Sequence, residues 1–165
     1  MFLVLTAAAA APFLFLENPP LQDYANSLAR AVIVMEYDDE TMPYREDFSV
    51  VYGAIPDIAT DVFVPALAPL VGVEMAGRLF VALSVVLLPL GAWALFAAFA
   101  PGGRLAWLAF WTLPLAHNWY VGMGFLNYVL GLGLSLLLLA LWVRWSPRWT
   151  RARLAVYGLA VLVLY

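Results

Sequence analysis

The sequence predicts an all-α fold: a polytopic transmembrane helix bundle with an extracytoplasmic loop carrying amphipathic surface helices. Three observations lead there. Of 165 residues, 65% are hydrophobic and 12% charged, against roughly 45–50% and about 25% in soluble domains. In water a chain of this size buries only about two-thirds of its unfolded surface, so the apolar excess would stand exposed. The apolar residues also come in long uncharged runs, Leu79–Ala100 and Gly122–Val143, each long enough to cross a hydrocarbon core of about 30 Å. Charge, finally, is segregated. All eleven acids lie between Glu17 and Glu74, and four of the eight Arg lie between Arg144 and Arg153.

The first expected span is 2–16, apolar except for Thr6. At 1.5 Å per residue it reaches only about 22 Å, so it reads as a short retained span or as a signal-peptide core. No Lys or Arg precedes it, which favours the retained span. An outer loop, 17–73, follows. Pro19-Pro20 ends the first helix and can open a second. Leu21–Met35 then reads as amphipathic, with Leu21, Tyr24, Leu28 and Met35 on one side and Asp23, Asn26, Ser27 and Arg30 on the other. Such a helix lies along a membrane surface. Glu36–Asp47 is a polar connector. Ile55-Pro56-Asp57 breaks the chain, and Asp57 is placed to cap a helix over Ile58–Leu70, interrupted by Pro65 and Pro69 and read as interfacial or re-entrant.

Further spans are expected at 79–100, where Pro89 allows a kink, at 105–117 after the turn Pro101–Arg104, and at 122–143. His117–Tyr120 forms a polar-aromatic corner of the kind found at a membrane interface. A last span begins at 154–165, and its apolar end at Tyr165 predicts further spans beyond the sequence. The Arg-rich loop Arg144–Arg153 belongs on the cytoplasmic side. Counting back through the spans places Arg104 inside, His117–Tyr120 outside, the loop 17–73 extracytoplasmic and the N-terminus cytoplasmic. The protein then sits in a cell inner (plasma) membrane as a multi-pass protein, with the lipid bilayer as its first partner.

Several functions are excluded. With no cysteine there is no disulfide, thiolate metal site or cysteine nucleophile. No basic face on a soluble fold suggests a nucleic acid partner. The phosphate-loop, dinucleotide, serine-hydrolase and zinc-protease motifs are all missing.

The candidates for chemistry are polar residues assigned to the outer face. Asp23 lies on the polar side of the surface helix, two turns before Arg30. A carboxylate there can act as a general base or bind a cation, or it can face water and favour the helix N-terminus. Asn26 shares that face as a substrate-binding candidate. Asp38-Asp39-Glu40 offers clustered oxygens to a divalent metal, Mg or Mn, or is a solvated loop. Asp57 and Asp61, four residues apart, enter an apolar stretch together. An acid there needs a partner, and Arg78 is the expected one, whether for substrate binding or as a structural ion pair. His117, the only histidine, and Asn118 can hold a phosphate or relay a proton, or they simply sit at the interface. Gly124, Asn127, Gly131 and Ser135 recur on one helix face and read as packing, with Gly131 and Ser135 admitting a neighbouring helix and Asn127 bonding across it.

The layout resembles the start of GT-C-type membrane glycosyltransferases. The residues that carry the resemblance are Asp23 in Pro19-Pro20-Leu21-Gln22-Asp23-Tyr24, the helix through Arg30 and the acidic loop to Asp61. Asn26-Ser27-Leu28-Ala29-Arg30 and Gly124-Phe125-Leu126-Asn127-Tyr128 also resemble uncharacterised polytopic bacterial membrane proteins. The resemblance implies sugar transfer from a polyprenyl-phosphate sugar donor at the extracytoplasmic face, with Asp23 as base and a divalent metal as helper. The outer corner His117–Tyr120 departs from it, being short and free of acids. A transporter would instead show polar residues midway through several spans and an inverted repeat. Only Asn127 and Ser135 qualify, and no repeat stands out. A non-catalytic membrane scaffold is the third reading.

Overall fold

A computed structural model of the chain describes residues 1–51, 53 and 57–164. Among the described residues the fold is all-helical, with no strand. The expected break at Ile55-Pro56 lies outside them. In chain order the helices are α1 (Phe2–Phe15), α2 (Tyr24–Met35), a single turn α3 (Tyr44–Asp47), α4 (Ala59–Val71), α5 (Val73–Phe99), a short α6 (Trp119–Met123), α7 (Leu126–Trp145) and α8 (Arg151–Leu164). Two of them are long and apolar enough to cross a membrane: α5, and α7 with the 3₁₀ turn that continues it to Arg148.

These two helices form the centre of the bundle, and glycine lets them meet. A Cβ on Gly91 would fall 2.5 Å from the Gly133 carbonyl oxygen, and one on Gly133 would fall 2.7 Å from the carbonyl carbon of Leu87. Such backbone-to-backbone approach is what small residues permit between packed helices. The closest contact therefore falls at Gly133. This corrects the expected Gly131–Ser135 packing pair, because a Cβ on Gly131 would meet nothing within 4 Å and the Ser135 hydroxyl turns back to the Gly131 carbonyl at 2.8 Å.

Helices α5 and α7 run parallel: Gly91 abuts Gly133 in the same sense that Phe80 faces a groove with Leu130. A parallel pair requires the chain between them to return along the bundle. Helix α1 marks the direction of that return. Its Phe2 ring stacks with Trp93 at 6.5 Å and meets Phe110 edge to face at 5.2 Å, while Phe13, near its other end, stacks on His117 at 5.6 Å. The segment from Phe110 to His117 thus rises beside α1 and antiparallel to α5. The expected span 105–117 makes this passage, but not as an α-helix. It consists of two 3₁₀ pieces, Ala106–Thr112 and Pro114–His117. Pro114 lacks the N–H that would continue an α-helical ladder and crowds the carbonyl four residues back. The Leu113 N–H instead reaches Phe110 O at 3.2 Å, a three-residue step. At about 2.0 Å per residue rather than 1.5 Å, thirteen residues stretch to roughly 26 Å instead of about 20 Å, enough for the return.

Helix α4 folds back on α5 through Gly72, whose φ of +84° suits glycine, and Phe63 packs on Phe80 at 5.3 Å. Helix α2 lies across α4 and the start of α5. A Cβ on Gly77 would be 2.6 Å from both Leu28 Cδ2 and the Tyr24 hydroxyl. The buried face of α2 is Tyr24, Ser27 and Ala31. Ser27, expected on the polar side, is a correction: its hydroxyl donates to the Asp23 carbonyl at 3.1 Å, so it can be buried without an orphaned group. Met35, expected on the apolar side, is exposed. Helix α8 pairs with α7 through Trp142 and Tyr157, 5.4 Å apart.

Candidate functional site

The N-terminal ends of α2, α4 and α7 converge, and side chains bind each to another. Before α2, the backbone N–H groups of Gln22 and Asp23 donate to the carbonyls of Gly122 and Met123, both at 3.1 Å. That docking needs Gly124. Its φ is +83°, and a Cβ there would stand 2.8 Å from the Asp23 nitrogen. Helix α4 lacks a side-chain cap of its own. Asn127 from α7 supplies one across the gap. Its Oδ1 accepts from the Thr60 N–H at 2.9 Å and from the Thr60 hydroxyl at 2.7 Å, and its Nδ2 donates to the Asp57 carbonyl at 2.6 Å. Asp57 was expected to cap this helix. Instead it holds a left-handed φ of +68°, and the orphan donor of the first turn goes to Asn127.

Between these ends lies a cleft of about 300 Å³ lined by Asp23, Ser27, Arg30, Asp57, Thr60, Asn127 and Tyr128, with Gly124–Leu126 at its back. Asp23 accepts from Asn26 Nδ2 at 2.8 Å, which fixes the carboxylate. Arg30 Nε donates to Asp61 Oδ1 at 2.6 Å. Asp61 therefore has a partner, but it is Arg30 on α2 and not Arg78. The reason is placement: Arg78 lies at the far end of α1, donating to the Leu14 carbonyl at 3.3 Å, an orphan of the helix terminus.

Two apolar grooves adjoin the cleft. One, of about 710 Å³, runs along α2 and shares Arg30 with it. The other, of about 770 Å³, runs between α4 and α7 past Val62, Phe63, Leu67, Phe80, Leu130 and Leu134, and shares Asp57, Asn127 and Tyr128 with it.

Of the residues singled out from sequence, Asp23, Arg30 and Asp57 line the cleft, and Asn26 and Asp61 bond to its walls. Arg78, His117 and Asn118 do not line it. His117 Nε2 bonds to Ala9 O at 2.9 Å, on the flank of α1. Asn118 caps α6, accepting from the Val121 N–H at 3.1 Å and donating to Leu115 O at 3.0 Å. His117, assigned to the same outer face as Asp23 and Asp61, does not join them: Phe13 and Ala9 hold the imidazole elsewhere. The sequence reading missed Thr60 and Tyr128 as site residues, and expected Asn127 to bond across a helix contact, where its partner is Thr60 of α4. The signal for the pair was the stretch Gly124–Tyr128, where one amide interrupts an apolar run.

The metal candidates are committed to other groups. Asp38 pairs with Arg45, which raises the Arg45 pKa further. Asp39 accepts from the Thr41 hydroxyl at 2.7 Å and the Thr41 N–H at 2.9 Å, and these bonds hold its carboxyl below the usual range. Among the described residues no three His, Asp or Glu side chains gather as a metal site. That donor set does not fit the Mg or Mn that the transferase resemblance implies. On α2, burial pushes the Tyr24 hydroxyl up to about 12, opposed by Arg78 and reinforced by Glu74.

Comparison with protein-family models, curated proteins and solved structures finds no match for this chain.

Proposed function

We propose that the chain is an integral membrane protein of the bacterial inner membrane that handles a polyprenyl-phosphate-linked sugar, with Asp23 as the general base of sugar transfer. The membrane part rests on α7. The core helix of a water-soluble protein can match its length and apolarity, but such a helix is buried. Only 22% of the most apolar window of α7 is buried, so its surface asks for lipid. In this reading α1, α5, the 3₁₀ return and α7 cross the bilayer, and the cleft opens on the extracytoplasmic side, opposite the Arg-rich turn.

The observation that carries the substrate class is the continuity of polar cleft and apolar groove. Asp57, Asn127 and Tyr128 belong to both. A molecule with a polar head and a long hydrocarbon tail matches that pairing, and a free sugar or a free lipid matches only half of it. In the transfer, the acceptor hydroxyl oxygen bonds to the anomeric carbon, its proton passes to the Asp23 carboxylate, and the bond from that carbon to the lipid phosphate breaks, so the lipid phosphate leaves as an anion. Arg30, on the same wall, offers positive charge to that leaving group.

A transport reading is less well supported. The polar residues it would draw on are already used: Asn127 stands at the N-terminal end of α7 bonded to Thr60 of α4, and Ser135 bonds to its own helix. The test is sugar transfer from a polyprenyl-phosphate donor by the protein in vesicles. Asp23→Asn is expected to lower the rate by about 10²–10⁴-fold with donor binding retained. An unchanged rate removes Asp23 from the chemistry, and no transfer by the parent protein removes the enzyme reading altogether.

A further inference from the structure

At the opposite end of the bundle from the cleft, the turn joining α7 to α8 carries Arg144, Arg148, Arg151 and Arg153 within ten residues. No acid occurs anywhere after Glu74, and among the described residues none of the four makes a salt bridge. Arg144, Arg148 and Arg151 are exposed. Arg151 and Arg153 also stand in the first turn of α8, the positive end of the helix dipole, where anionic groups are favoured and cations are not. Among the described residues no acidic side chain pairs with them.

The aromatic side chains of the turn form a platform beside these charges. Trp142 packs on Trp149 at 4.9 Å, Trp149 on Tyr157 at 5.7 Å, and Trp145 on Trp149 at 6.1 Å. Arg153 lies over the Trp145 ring at 5.7 Å and donates to the Arg148 carbonyl at 2.8 Å. Trp and Tyr rings settle at the headgroup level of a bilayer, and a cation above a Trp face is held there by the ring quadrupole. The platform thus sets the depth of the turn, and the guanidiniums face the headgroup layer, where planar bidentate donors match phosphate oxygens.

We propose that this Arg–Trp turn is a binding site for anionic phospholipid headgroups. The charge complementarity selects the occupant: four uncompensated guanidiniums on an aromatic anchor fit a phosphodiester lipid with net negative charge and not a zwitterionic one. The proposal rests on the membrane reading above, but not on sugar transfer.

The test uses the whole chain in vesicles of phosphatidylcholine with and without phosphatidylglycerol, followed by native mass spectrometry of the lipids it retains. The parent protein is expected to retain phosphatidylglycerol over phosphatidylcholine, with the preference falling as salt rises. Arg148→Gln should weaken it about fivefold, the worth of one cation near an anionic surface, and the fourfold Arg-to-Gln variant should abolish it. Equal retention of the two lipids by the parent protein overturns the proposal, whatever the variants do, and so does a preference untouched by the fourfold variant. Release of the parent protein from both kinds of vesicle by alkaline washing would overturn the membrane reading itself. Firm embedding without lipid preference would overturn this site alone.

Discussion

Asn127 holds two helices with one amide. Its oxygen accepts from both the N–H and the hydroxyl of Thr60, which is 3% exposed, and its nitrogen donates to the Asp57 carbonyl. Asn127→Ala leaves the buried Thr60 N–H and hydroxyl unpaired, and an unsatisfied buried donor costs about 1–3 kcal/mol. The expected outcome is a lower unfolding temperature in detergent, and an unchanged one would mean that the bridge contributes nothing. Tyr24 gives a pH signature. Its hydroxyl loses its proton near 12 in the folded chain against 10.0 for the ordinary group. Between those values the unfolded chain releases a proton that the folded chain keeps, so stability is full below pH 10 and falls as pH rises toward 12. Tyr24→Phe should flatten that part of the stability profile measured by chemical unfolding, and a profile of the same slope would contradict the burial assigned to the hydroxyl. At this scale the sequence was partly legible. Asp23 and Arg30 could be placed on one wall because they are two turns apart on one helix. The Arg30–Asp61 pair and the Asn127 bridge join residues 31 and 67 positions apart, and no local pattern encodes which helix end meets which.

Glycine sets the spacing of the elements. Gly133→Ala places a methyl 2.7 Å from the backbone of α5, so the helices must separate, at a cost of typically 1–3 kcal/mol for overpacking. Gly131→Ala, two residues away, meets nothing within 4 Å and should be neutral or stabilise by up to about 1 kcal/mol through helix propensity. Thermal unfolding of the two variants checks this directly: equal effects would mean that α5 and α7 are not in contact at Gly133. The long helices were visible in the sequence, since their apolar runs exceed twenty residues and tertiary context cannot easily override them. The segment 105–117 was not. Its apolar content matches a span, but Pro114 and the distance to be covered favour 3₁₀ geometry, which hydropathy does not report. The amphipathic helix α2 was found, yet its buried face had to be redrawn around Ser27, because a serine that bonds to its own helix can be buried like an alanine.

On the scale of the whole molecule the parts agree on a direction. The acidic loop, the polar cleft and the N-termini of α2, α4 and α7 share one end, and the Arg–Trp turn occupies the other, with apolar helices between. The separation of the acids, none after Glu74, from the late Arg cluster made these two ends readable in the sequence. The sequence did not disclose that the cleft would continue into an apolar groove, which depends on how α4 leans against α7. Whether the bundle spans a bilayer with the cleft outside can be read directly, because the chain has no cysteine. Single cysteines are placed at Thr41, in the exposed connector, and at Thr150, in the exposed Arg-rich turn, and intact cells are treated with a membrane-impermeant maleimide. Labelling of Thr41→Cys is expected in intact cells, and of Thr150→Cys only after the membrane is opened. Labelling of both from the same side, or recovery of the protein in the soluble fraction, would contradict it.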